Sequence, residues 1–243
     1  MYRDKIPLKW PNCKQNLCTT SSRLQILNAV YHLSDWGPYL DLADGDRAYA
    51  LLLYEWNIRV SEAMYSILQG FEVTLRNSIH DVMCIAHGRH DWYDVAELMD
   101  DEKSRIEDAK RRIVRDGRQI TPGRVVAELM FGFWSSLAGT VYAQTLWDRH
   151  LYKAFRQKKV GRKDVAKRLK KIRFLRNRVA HHESIIGRQG QERNLRQDVR
   201  EILEATSWIC STTAKWVAHT SSFDTAYSQR PTPPQADLPL IRT

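Results

Sequence analysis

A chain of 243 residues, 43% hydrophobic and 10% aromatic, is long enough to bury a substantial core. Met1-Tyr2-Arg3-Asp4-Lys5 leads into no apolar segment, and no run of about 18 apolar residues occurs, which argues against a secretory signal or membrane span and for a cytoplasmic protein. Cys13, Cys18, Cys84 and Cys210 are scattered, without Cys-x-x-Cys spacing or an evident histidine set, so the expectation is buried free thiols, no metal and no cofactor. The net charge is +10, and its placement is informative. From Arg156 to Arg178 twelve lysines and arginines face the single acid Asp164, a local balance of +11, which favours a polyanion arriving there.

In chain order, residues 1–22 read as an irregular arm, and Ser22 can cap a short helix through about His32. Trp36-Gly37-Pro38 is expected to break it, and Asp44-Gly45-Asp46 to start the next. From Arg47 to about His87 the chain is nearly continuous helix former. Val60, Met64, Ile67, Leu68, Phe71, Leu75, Ile79 and Val82 form one apolar stripe there, with Asn57 and Gly70 the places for a bend. Glu72 and Arg76 stand four apart at the edge of that stripe, as a pair on one flank or as groups that meet a neighbouring helix.

Gly88 ends this element, and Asp91-Trp92-Tyr93 connects to a helix opening at Asp100 or Asp101 and closing near Arg115 before Gly117. Thr121-Pro122 starts a helix carrying Val125, Val126, Leu129 and Met130. Phe131-Gly132-Phe133-Trp134 is expected to pack inside rather than stack on bases. Another helix is expected over about 141–150. The basic helix starts near Lys163, Gly187 to Gly190 turns the chain, and a final helix runs from about Leu195 to Ala218. The organisation is thus an arm over 1–22, one all-α domain over 23–228 and a proline-rich tail over 229–243.

The basic helix carries the chemistry. Leu169, Ile172, Leu175 and Val179 form its apolar stripe, and Arg176 projects within about 40° of Ile172, toward the core side. Such an arginine should contact a second helix or a second subunit. Arg173, Asn177 and His181 follow one another at intervals of four and share a row. No His-Glu-x-x-His pattern, carboxylate cluster or glycine-rich phosphate cradle occurs.

The run Leu175-Arg176-Asn177-Arg178-Val179-Ala180-His181-His182-Glu183 resembles the signature of the Abi-like (abortive infection) family of the HEPN superfamily. Other blocks agree in order: Leu53-Tyr54-Glu55-Trp56-Asn57 with Ser61, Phe71 to Asn77, Leu129 to Trp134, Trp216, and Arg230-Pro231. The resemblance implies an all-α HEPN-like bundle with additional helices, a homodimer with a composite site, and metal-independent RNA cleavage by 2′-OH attack in a toxin or phage-defence effector. Position by position it assigns catalysis to Arg176, Asn177 and His181, with His182, Glu72 and Arg76 as supporting or alternative groups. Lys170, Arg173 and Arg178 are read as RNA-binding. An antitoxin or regulatory partner is compatible with this reading, and a non-catalytic RNA-binding or protein-interaction module is the alternative.

Overall fold

The computed structural model describes residues 33–233, so the N-terminal arm, the Ser22 helix, Cys13, Cys18 and the last prolines lie outside the described residues. The fold is all-α, and its spine is one helix, α2 (Arg47–His87), preceded by α1 (Leu33–Leu42). Forty-one residues at 1.5 Å each make α2 about 60 Å long. The Asp46 carboxylate accepts from the Ala48 and Tyr49 amides at 2.8 and 3.0 Å, and Gly88 closes the helix in the left-handed region at φ 66°. Both ends fall where local chemistry placed them. The expected stripe is buried along its whole length.

Three expected breaks are absent. Trp36-Gly37-Pro38 lies inside α1, because Pro38 removes only one helical hydrogen bond while Trp36 and Tyr39 pack on Tyr54, with ring centroids 5.8 and 5.3 Å apart. Asn57 does not bend α2; it is buried, and its Oδ1 accepts from the Ile185 amide at 2.9 Å. Gly70 does not bend α2 either. A Cβ there would stand 2.5 Å from Val217 Cγ2, so the missing side chain admits a neighbouring helix.

Beyond Gly88, a 3₁₀ turn (Trp92–Asp94) buries Trp92 completely. Helix α3 (Asp100–Arg115) follows with its acidic first turn, then α4 (Pro122–Glu128), capped by Thr121. That helix ends before Leu129 and Met130, contrary to expectation: α5 (Phe131–Ser136) starts afresh, and Met130 is exposed. Phe131, Phe133 and Trp134 are interior, and Trp134 Nε1 donates to Leu129 O at 3.0 Å. The helix expected over 141–150 is instead a 3₁₀ turn (Thr140–Tyr142), a π turn (Ala143–Trp147) and a second 3₁₀ turn (Leu151–Ala154).

Helix α6 (Arg162–Ala180) is the basic helix. A two-stranded hairpin, β1 (Gly187–Arg188) with β2 (Gln191–Glu192), turns the chain into α7 (Leu195–Ile209). The final helix is split at Cys210, whose backbone is extended, giving α8 (Ser211–Thr220) and a short α9 (Phe223–Ser228). Helices α1, α5, α6, α7, α8 and α9 all pack against α2. Arg230 lies over the Trp56 ring at 5.4 Å and pairs with Glu192 at 2.9 Å, which fastens the last described residues to α2. Cys84 and Cys210 are free thiols, half-buried rather than fully buried. Among the described residues, no helix is long and apolar enough to cross a membrane.

Candidate active site

The site is built where α6 ends. Leu169, Ile172, Leu175 and Val179 bury one face, so Arg173, Asn177 and His181 are carried on another. The helix closes in a Schellman arrangement: the His182 amide donates to Val179 O at 3.2 Å and the Glu183 amide to Arg178 O at 2.9 Å. The left-handed residue this motif needs, usually glycine, is His182, at φ 58°. That backbone turn sends two consecutive histidines in different directions.

His181 enters a cleft of about 520 Å³ with Arg173, Arg176 and Asn177, so the expected row does share one cavity. The opposite wall comes from α3 and α5, through Arg105, Arg112 and Phe133. His182 faces a second cleft, of about 470 Å³, with Glu72, Arg76 and Arg176. Arg176 is therefore the partition between the two. It meets α2 as an inward-pointing arginine should, with its Nε 3.4 Å from Glu72 Oε2. Glu72 consequently pairs with Arg176 and not with Arg76, whose Nε donates to Asn77 Oδ1 at 3.2 Å.

The first cleft is electropositive. Arg112 is committed to Glu128 at 2.8 Å, but among the described residues the side chains of Arg173 and Asn177 have no ion-pair or hydrogen-bond partner. Of the remaining basic residues singled out, Lys170 is exposed and lines neither cleft. Arg178 turns away: its Nε donates to Ser184 O at 2.9 Å and its guanidinium lies over Phe174. Part of the +11 segment is neutralised internally, since Arg168 and Lys171 bind Glu201 and Glu204 of α7. Arg105 and Arg112 were not anticipated. Their spacing of seven on an amphipathic helix was the available signal, but nothing in it said which helix they would face.

One further cluster escaped the sequence. His80, Cys84 and His90 bring three metal-ligating atoms within 4.8 Å of one another, although the cysteine spacing gave no sign of a histidine set. Their hydrogen bonding does not suit a metal. Buried Trp92 Nε1 donates to His80 Nδ1 at 3.0 Å, so in the neutral ring the proton sits on Nε2, the nitrogen 3.5 Å from Cys84 Sγ. A ligating Nε2 would need that position free. None of the three lines either cleft.

A family model described as Abi-like protein matches residues 43–187, a span that contains Glu72, Arg76, Arg176, Asn177, His181 and His182. No curated protein and no solved structure matches the chain. The family match covers well over half of the 243 residues and both walls of each cleft, and on it the chain belongs to the Abi-like protein family.

Proposed function

We propose that the protein is a metal-independent endoribonuclease of the HEPN type, acting in an abortive-infection, phage-defence setting that its family membership supports. The observation that carries this reading is the convergence of Arg173, Arg176, Asn177 and His181 on one cleft at the end of α6.

RNA brings its own nucleophile, so the protein has only to move protons and stabilise charge. His181 takes the 2′-OH proton as general base. Arg176 and Arg173 hold the non-bridging phosphate oxygens, where arginine's planar fork is most effective. Asn177 orients the ribose or the phosphate for in-line attack. The 2′-oxygen bonds to phosphorus, the 5′-oxygen leaves and is protonated, and the products are a 2′,3′-cyclic phosphate and a 5′-OH. One cleft contains one histidine, so the acid that protonates the leaving oxygen is assigned to the equivalent histidine of a second copy in a homodimer.

The test compares wild type, Arg176→Ala and His181→Ala on total cellular RNA without added metal, with end-group analysis of the fragments. The reading expects cleavage by wild type alone, leaving cyclic phosphate ends. Equal cleavage by all three, 3′-OH ends, or loss of cleavage on chelation would overturn it. RNA binding without cleavage would leave a non-catalytic binding module.

A further inference from the structure

Resting on the ribonuclease reading of the same cleft, we propose that Arg105 of α3 is a phosphate-binding residue facing the motif helix, held in place by the buried Glu102–Tyr142 pair.

Arg105 lines the cleft with Arg173, Arg176, Asn177 and His181, so a phosphate seated among them has guanidinium groups on two of its sides. Its Nη1 is covered and has no hydrogen-bond partner among the described residues, while the side chain as a whole is 42% exposed, so the guanidinium keeps unspent N–H donors at its accessible edge for a phosphate oxygen.

The nearest acid explains why Arg105 stays in place without being satisfied. Glu102 is 5% exposed, and its Oε2 accepts from the Tyr142 hydroxyl. Its other oxygen, Oε1, lies 3.8 Å from Arg105 Nη1, close enough to attract but too far for a hydrogen bond. Tyr142 Oη is itself fixed by the Met99 amide at 2.9 Å. Glu102 and Tyr142 are thus positioning residues.

Gly132 lines the same cleft beside Arg105. Arg112, one helical row along, is taken by Glu128. Arg115 at the end of the same helix provides a control, being exposed, paired with Asp116 and outside the cleft.

The experiment measures fluorescence anisotropy of a labelled single-stranded RNA with every 2′-hydroxyl methylated, which cannot be cleaved by 2′-OH attack, over a range of salt. Arg105→Ala should weaken binding about tenfold and lower the slope of log affinity against log salt by about one, the signature of one lost phosphate contact. Arg105→Lys should recover part of the affinity and the full slope. Arg115→Ala should match wild type, and melting curves confirm that each variant folds. Arg105→Ala behaving like Arg115→Ala would overturn the proposal, as would failure of the wild type to bind the RNA. If the wild type binds but leaves unmodified RNA intact, the ribonuclease reading fails while the Arg105 assignment is still decided by the binding data.

Discussion

Glu72 and Arg176 meet at 3.4 Å across the contact between α2 and α6, with the two side chains 23% and 27% exposed. A pair this accessible contributes under about 1 kcal/mol to stability. Its effect is directional: it fixes the guanidinium that separates the two clefts. Glu72→Ala should therefore barely move the melting temperature while lowering kcat for RNA cleavage at least about tenfold. A large loss of stability with unchanged kcat would make the pair purely structural.

His182 occupies a left-handed conformation at φ 58°, which costs a non-glycine residue about 1 kcal/mol. Its side chain faces the cleft that does not contain Asn177. His182→Gly should raise stability by up to about 1 kcal/mol and preserve cleavage. Abolished cleavage in a well-folded His182→Gly protein would transfer the acid–base role from His181 to His182.

Gly70 sets the spacing between α2 and α8. Gly70→Ala gains about 1 kcal/mol of helix propensity but drives a methyl into Val217, which is 2% exposed and β-branched, so it cannot swing aside. Overpacking of this kind costs about 1–3 kcal/mol, and net destabilisation is expected in urea unfolding. Adding Val217→Ala should recover part of it. Additive effects of the two substitutions would show that the helices do not touch there.

Asn57 holds the Ile185 amide from within the core, 128 residues away in sequence. Asn57→Ala leaves that buried N–H without a partner and should destabilise the protein by about 1–3 kcal/mol. Hydrogen exchange at Ile185 should quicken more than exchange in α7. Uniform quickening would mean that the bond reports global stability alone.

The two described thiols should differ in their response to pH. Hydrogen bonds from Thr213, from its side chain above all, hold Cys210 below its ordinary value of 9.0, because they favour the thiolate. Burial, together with Asp81 and Asp91, pushes Cys84 above that value. Alkylation by iodoacetamide follows the thiolate, so its rate at Cys210 should rise at lower pH than at Cys84, as read by peptide mass spectrometry. The reverse order would refute the assignment.

Much of the helical frame follows from local chemistry. Asp46 and Thr121 mark ends by bonds made within a few residues, Gly88 by its left-handed backbone, and the acidic turn at Asp100 by its charge at a helix N-terminus. Asn57 and Gly70 mislead because their roles are distant: one serves Ile185 and the other Val217. The split at Cys210 has no glycine or proline to announce it. At the candidate site, helical periodicity alone groups Arg173, Asn177 and His181. The preference of Glu72 for Arg176 over Arg76, and the arrival of Arg105, depend on which helices lie opposite. The divergence of His181 from His182 depends on one backbone angle.

The length of α2 also orders events during synthesis. About 100 residues separate Glu72 from Arg176, and ribosomes add about 5–20 residues per second, so roughly 5–20 s pass between the two. Through that interval the spine exists without α6 and α7, and neither cleft has both of its walls. A nascent chain that has not yet passed His182 carries neither cleft, so any reaction at His181 has to wait until α6 closes onto α2, α3 and α5.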